Sequence, residues 1–258
     1  MNVAVVYKHD SREIAQEVLE FLGDRVTSVK EFNYFSSELE DYDFIVSIGG
    51  DGTILSILQE VERCPPIFGV NTGRIGLLNH SEVDDFKDGL TDVLEGKLTT
   101  EEFLRIEGHV NGERLVAMNE IAVLSAIPAK LMGVVVKVDG VETERLRADG
   151  MLFSTPVGST AYALSAGGPV VDPRVHSIIA VPIAPFKLGW RPWVISKDRI
   201  IEMELILGKA KVVADGRKST ELSENDTITI KKYDHPAVFF KMQSERIEKI
   251  VNRIRTIE

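Results

Sequence analysis

Asp43-Phe44-Ile45-Val46-Ser47-Ile48-Gly49-Gly50-Asp51-Gly52-Thr53 is the stretch on which the reading of this chain turns. A short β-branched and aromatic run, Asp43 to Ile48, reads as a strand. It stops at three glycines wrapped around one carboxylate, and a helical pattern follows from Thr53 to Glu62. Without a Cβ, Gly49, Gly50 and Gly52 let the backbone turn tightly and bring its N–H groups close to a ligand. The helix behind them aims the positive end of its dipole at the same spot. That arrangement suits phosphate, yet a simple phosphate cradle avoids an acid such as Asp51. An acid among phosphates points to proton abstraction or to metal binding.

The turn matches neither of the commoner glycine fingerprints. Walker A requires Gly-Lys-Ser/Thr at its end, whereas Gly52 is followed by Thr53 and Ile54. The dinucleotide pattern requires a third glycine where Leu55 stands. The plainer alternative is that the glycines serve turn geometry alone and Asp51 caps the helix.

At 258 residues, 44% apolar and 27% charged, the chain has the composition of a globular protein of one large domain or two ordinary ones. Its one cysteine, Cys64, excludes an internal disulfide framework and fits a reducing compartment. Met1 leads directly into the strand-like Val3–Tyr7, with no secretory signal pattern. The apolar run from Ile178 to Phe186 contains Pro182 and Pro185 and is too short to span a bilayer. The expectation is a cytoplasmic protein without a membrane partner. A formal net charge of −10 argues against nucleic acid, whose backbone demands a basic face. A nucleotide remains open, because a small anion needs only a local nest of N–H groups and a cation or two.

Strand and helix alternate over roughly the first ninety residues. Val3–Tyr7 reads as a buried strand, and Asp10 with Glu13 as a capping box opening the amphipathic run Ile14, Val18, Leu19, Leu22. Ile54–Val61 and Glu82–Leu94 read as helices and Ile67–Val70 as a third strand. Repeated β-α units imply a parallel sheet with ligands at the carboxyl ends of its strands. From about Thr99 the rhythm becomes mostly β, with segments such as Ile121–Ser125, Val134–Val138, Met151–Ser154 and Ile200–Leu207. Turn signals Asp139-Gly140 and Asp215-Gly216 separate them. After Ser244, apolar residues at 247, 250, 251 and 254 form a helical stripe.

Three further constellations carry chemistry. Asn71-Thr72-Gly73-Arg74-Ile75-Gly76 follows the third strand and reads either as a second phosphate holder or as an ordinary turn with a solvated Arg74. Asn119-Glu120 precedes an apolar strand; an amide beside a carboxylate can clasp ribose hydroxyls, though an exposed turn pair is the default. From Asp149 to Pro169, Ser154, Thr155, Ser159, Thr160 and Ser165 crowd among Gly158, Gly167 and Gly168. That density exceeds what turn chemistry alone is expected to need, and Tyr162 offers a flat face for a base. The five histidines are scattered, without zinc-ligand spacing. Trp190 and Trp193, around Arg191-Pro192, read as packing residues.

Gly49-Gly50-Asp51-Gly52-Thr53, Asn71-Thr72-Gly73, Asn119-Glu120 and the block Ser154-Thr155-Pro156 through Gly158-Ser159-Thr160-Ala161-Tyr162 to Ser165-Ala166-Gly167-Gly168-Pro169 together resemble the NAD kinase family in order and spacing. Arg191-Pro192 and Asp215-Gly216 look like later landmarks, so the resemblance covers essentially the whole chain. The first motif is shared with diacylglycerol and sphingosine kinases; the block around Tyr162 is specific to NAD kinases. Two positions depart from the family pattern: Val157 stands where a hydroxyl or small polar residue is usual, and Arg217 where glutamine is common.

The resemblance implies a Rossmann-like α/β domain over residues 1–98, a β-rich β-sandwich domain over 99–235, and a segment 236–258 packing back on the first. It implies phosphorylation of the adenosine-ribose 2′-hydroxyl of NAD, giving NADP, with ATP or inorganic polyphosphate as donor. A divalent metal, usually magnesium, accompanies the donor, and family members form homodimers or homotetramers in which a neighbouring subunit completes the site. Asp51 is then the general base. Gly49, Gly50, Gly52, Thr53 and Asn71 surround the phosphates, and Asn119 and Glu120 grip ribose hydroxyls. Asp149 meets the adenine amine or nearby polar groups, while Thr160, Ala161, Tyr162 and Ser165 line the dinucleotide pocket. Lys130, Arg147 and Arg217 are pyrophosphate partners, and Ala184 contacts the nucleotide across a subunit interface. Two rivals share the glycine turn or the pocket. A lipid kinase predicts an apolar channel, which the polar run near Tyr162 opposes, and a non-catalytic NAD(P)-binding sensor does not require Asp51.

Overall fold

The structure is a computed structural model that describes residues 1–73, 76–187, 189–241 and 248–251. The chain divides into two compact units, Met1–Glu102 with His235–Glu258, and Phe103–Asp234.

The sheet of the first unit runs in the order Ser28–Phe32, Asn2–Tyr7, Phe44–Ile48, Ile67–Asn71, Ala237–Phe240, Thr100–Phe103, with Ser81–Glu82 pairing alongside Ile67–Asn71. Its first four strands are parallel, Val3 facing Val29 and Phe44, and Ile45 facing Ile67. Both faces are covered, which is why these strands read as continuous apolar runs. Val3, Val5, Val46, Ile48, Phe68 and Val70 pack against Ala15, Val18 and Leu22 of helix Arg12–Leu22 and against Phe86, Leu90 and Val93 of helix Phe86–Leu94. By alternation, Val6, Ser47 and Gly69 face the other way. There, helix Asp51–Glu60 buries Ile54, Ile57 and Leu58.

In this order the second strand lies on one side of the first and the third on the other, so the winding reverses between Asn2–Tyr7 and Phe44–Ile48. Ligands of wound sheets bind at the carboxyl ends beside such a reversal. The residues there are Lys8–Ser11 and Gly49–Asp51.

Three element starts differ from the sequence reading. Asp10 does not cap a helix: His9–Ser11 form a 3-10 turn, and helix Arg12–Leu22 begins after Ser11 without a side-chain cap. The helix after the glycine turn begins at Asp51 rather than Thr53. Glu82 pairs with Asn71 in a short strand, which delays the next helix to Phe86. Of the terminal stripe, positions 250 and 251 are described and Ile250 is buried, while 247 and 254 lie outside the described residues.

The second unit consists of two six-stranded antiparallel sheets. One runs Val141–Ala148, Met132–Val138, Ile201–Leu207, Thr227–Lys232, Ile106–Val110, Glu113–Ala117. The other runs Trp193–Ser196, Ser177–Ile183, Gly150–Ser154, Glu120–Ser125, Ala210–Ala214, Lys218–Leu222. Val134, Val136, Met203 and Leu205 of the first meet Ile121, Val123, Met151 and Phe153 of the second in one core, making a β-sandwich. The outer face of the second sheet is covered as well, because Ala122, Leu152, Ile179 and Val181 pack with Ala163. Edge strands such as Lys218–Leu222 are mostly exposed, so their polar sequences give little periodic signal. Trp190 packs against the sandwich core, but Trp193, on an edge strand, is 41% exposed, contrary to its reading as a packing residue.

Phe153 is fully buried at the centre of this core. Phe153→Ala is expected to cost about 3–5 kcal/mol through lost transfer energy and an unfilled cavity. Equilibrium urea denaturation measures it, and a loss below about 1 kcal/mol would mean that the sandwich collapses onto the gap.

Candidate functional site

The glycine turn begins with a conformational demand. Gly49 has φ +151°, and a Cβ there would overlap the Thr53 hydroxyl. At Gly50 a Cβ would meet nothing within 4 Å, so that position leaves open space beside the backbone. Gly50 is the N-cap of helix Asp51–Glu60, which rules out the reading of Asp51 as its cap.

The Asp51 carboxylate is held by a different segment. Its Oδ1 accepts from Leu78 N at 3.0 Å and Asn79 Nδ2 at 3.2 Å, and its Oδ2 from Leu77 N at 3.1 Å. A carboxylate offers about four acceptor positions, so three protein donors orient it and leave capacity on Oδ2. Asn71 is buried and organises the neighbouring turn: Nδ2 donates to both Glu82 carboxylate oxygens (3.1 and 2.9 Å) and to Gly73 O, and Oδ1 accepts from Gly73 N. Its polar groups therefore face the loop rather than a ligand. Arg74 lies outside the described residues. One strand away, Tyr7, His9, Arg12, Glu31 and Asn33 line a polar cavity of about 530 Å³.

In the second unit a second aspartate does comparable work. Asp215, at φ +48°, accepts from Met118 N at 2.9 Å, Asn119 N at 2.8 Å and Glu120 N at 3.2 Å, fixing that corner of the sheet. Glu120 is buried, and its Oε2 has no hydrogen-bond partner among the described residues. Burial first, and then the Asp215 charge, push its carboxyl up from 4.5 to about 7, a rise moderated by the Tyr162 N–H. Near neutrality Glu120 thus both donates and accepts.

The hydroxyl-rich run is largely scaffolding. Ser154 donates to Asn119 O, Thr155 to Met118 O at 2.5 Å, Ser159 to Pro156 O at 2.6 Å, and Thr160 to Val157 O at 3.3 Å. A Cβ on Gly158 would overlap the Asn119 backbone. Turn chemistry therefore accounts for more of this run than its sequence suggests, and Thr160 is buried with its hydroxyl turned inward. Tyr162, 41% exposed, and Ser165 are the open side chains, with Ala161 between exposed and buried.

The candidates of this unit fall at two ends of one sheet. Glu120 pairs with Ser154 at one end and Leu124 with Gly150 at the other, four residues or about 13 Å along the strand. Asn119, Glu120, Thr160, Ala161 and Tyr162 share the first end, with Arg217 just beyond Asp215. Lys130, Arg147, Asp149 and Ala184 gather at the second. There Ser125 N donates to Asp149 O, Asp149 N to Ile183 O, and Phe186 N to Arg147 O. Ala184 sits at φ +44° and Phe186 is 78% exposed, an unusual pairing of local strain with an open aromatic ring.

Comparison with known proteins decides the family. Residues 16–98 match the ATP-NAD kinase N-terminal domain and residues 118–242 the ATP-NAD kinase C-terminal domain. An NAD kinase of Archaeoglobus fulgidus is 49% identical over 257 residues, covering all of both chains. One from Methanothermobacter thermautotrophicus is 34% identical over 98% of this chain and 96% of its own. The chain belongs to the NAD kinase family. It is accordingly an enzyme, a kinase. The crystal structure of the Archaeoglobus fulgidus NAD kinase in complex with ATP superposes with TM-score 0.90 at 47% identity, each chain fully covered. A yeast NADH kinase complexed with NADH has the same fold, with TM-score 0.87 at 24% identity over all of this chain and 88% of that one.

Sequence reasoning missed the groups that hold the family's motifs in place. Leu77, Leu78 and Asn79 bind Asp51 mostly through backbone N–H groups, which leave no side-chain signature. Asp215 was visible as a turn former and a family landmark, but not as an anchor whose carboxylate binds a segment almost a hundred residues earlier.

Two substitutions test this geometry. With the folded Glu120 carboxyl raised to about 7, its neutral form stabilises the protein fully below about pH 4.5, and that contribution is lost as pH rises through 7. Glu120→Gln cannot ionise, so its stability relative to the parent is expected to rise between pH 5 and 8, by at most about 3 kcal/mol. Thermal melts across that range check this, and a pH-independent difference would contradict it. Gly158→Ala is expected to cost about 1–3 kcal/mol by overpacking and to weaken NAD binding measured by calorimetry. Parental values for both would show that the Asn119 backbone yields.

Proposed function

We propose that this enzyme transfers the terminal phosphoryl group of ATP or polyphosphate to the 2′-hydroxyl of the adenosine ribose of NAD, giving NADP. The observation that carries this reading is Asp51: a carboxylate fixed by three N–H donors at a glycine turn, with acceptor capacity left on Oδ2. A ribose hydroxyl is a weak nucleophile, and an oriented carboxylate that takes its proton as the oxygen attacks phosphorus lowers that barrier. The proton passes to Asp51 Oδ2 and the shortened donor departs. The positive end of the dipole of helix Asp51–Glu60 favours phosphate oxygens there.

Glu120, near half-ionised at neutral pH, suits a ribose diol, to which it can donate and from which it can accept. The exposed ring of Tyr162 offers a stacking face for a base. Asn71 acts through the loop it shapes, and Thr160 through the turn it closes. Among the described residues no three His, Cys, Asp or Glu side chains gather as a metal cage. A magnesium ion arriving on the donor's phosphates fits such a site, since magnesium commonly takes one or two carboxylates and keeps phosphate and water ligands. Held by the donor's phosphates, the ion would supply charge neutralisation and leave Asp51 Oδ2 to take the proton.

Lys130, Arg147, Asp149 and Ala184 emerge at the opposite end of the sheet from Glu120, about 13 Å along the strand. We therefore assign them to the site of a neighbouring copy in a homodimer or homotetramer. No described helix is long and apolar enough to cross a membrane. The free thiol of Cys64 fits a reducing, cytoplasmic setting.

Incubation with NAD, magnesium and either ATP or polyphosphate, followed by an NADP assay, tests the reaction and ranks the donors. Asp51→Ala is expected to lose turnover by about 10²-fold or more while NAD affinity stays within roughly tenfold. Undiminished NADP production by that variant would remove Asp51 from the chemistry.

A further inference from the structure

Building on the role of Asp51 given above, we propose that Lys249, in the C-terminal segment, is a positioning residue for that carboxylate and acts through Asn79. The connection is short. Lys249 Nζ donates to Asn79 O at 2.9 Å, and Asn79 Nδ2 donates to Asp51 Oδ1 at 3.2 Å. One residue separates the terminal ammonium from the carboxylate.

Asn79 itself has little freedom. It is buried, and its Cα and Oδ1 lie where a side chain on Gly69 would have to go, 2.9 and 2.6 Å from a Cβ built there. The peptide group joining Asn79 to His80 is bonded on both sides: its carbonyl accepts from Lys249, and its N–H donates to Gly69 O at 2.8 Å. Such bonds polarise and strengthen one another, and an ammonium donor is stronger than a neutral one.

His80 anchors the same loop to the strand before the terminal segment. Gly69 N can only donate, so His80 Nδ1 is the acceptor, and the proton on Nε2 is given to Phe240 O at 2.5 Å. The ring stacks with Phe68 and Phe239 at centroid distances of 5.0 and 6.2 Å. Residues 77–80 therefore have one side on Asp51 and the other on the C-terminal part of the chain. A proton acceptor misplaced by about 1 Å loses on the order of a hundredfold in rate, so a link of this kind shows in catalysis before it shows in folding.

The test uses the full chain with Lys249→Met, Lys249→Arg and Asn79→Asp. Lys249→Met is expected to lower kcat roughly tenfold or more, with KM for NAD within about twofold, and Lys249→Arg to restore most of the rate. Asn79→Asp replaces the amide that donates to Asp51 Oδ1 with a second carboxylate and is expected to move the acidic limb of the pH–kcat profile upward. Parental kcat in Lys249→Met, or equal losses of rate and Tm in the Met and Arg variants without a shifted pH profile for Asn79→Asp, would overturn the proposal. A parent that makes no NADP would refute the assigned reaction instead. The coupling is then read without turnover from the ¹³C shift of the Asp51 carboxyl, which Lys249→Met must change if the link exists.

Discussion

A carboxylate on a glycine turn has no neighbouring bulk to steady it, and the chemistry proposed for Asp51 depends on its being steady. The hold on Asp51 comes from two consecutive backbone N–H groups and one side-chain amide, all supplied by residues 77–79. Those donors face the acid because Asn71 shapes the turn just before them and because Gly69 leaves room for Asn79. The glycines that open space beside the backbone thus require a second loop to supply the order they remove.

The second unit solves a similar problem in the same way. Asp215 gathers three successive N–H groups at Met118, Asn119 and Glu120 and so sets the edge from which Glu120 projects. Ser154, Thr155 and Gly158 close on that edge from the other side. The same burial that makes the corner rigid raises the Glu120 carboxyl to about 7. A rigid corner and a carboxyl that exchanges its proton near neutrality are consequences of one packing arrangement.

The antiparallel register of the second sheet distributes the remaining polar candidates. Because Glu120 pairs with Ser154 while Leu124 pairs with Gly150, residues adjacent in the 147–150 and 183–186 connections emerge at the end away from Glu120. Ala184 at positive φ and the exposed Phe186 mark that end as a built surface.

Local pattern alone determined the alternation of strand and helix up to Glu82–Leu94, the change to β after Thr99, and the glycine turn with its lone acid. These follow from periodicity and from the absence of Cβ atoms, properties that neighbours in the chain decide among themselves. The β-sandwich, the NAD kinase resemblance and the enzyme class were legible as well, all three through motif order rather than through geometry. Tertiary structure alone decided what each acid does: Asp51 is not a helix cap, Asp10 caps nothing, and Asp215 is an anchor rather than a mere turn former. It also turned the hydroxyls of Ser154, Thr155, Ser159 and Thr160 onto carbonyls and divided the polar candidates between two ends of a sheet. The physical reason is that a hydrogen bond requires its partner in space, and the partners of Asp51, Asp215 and Ser154 lie about 26 to 97 residues away in the chain.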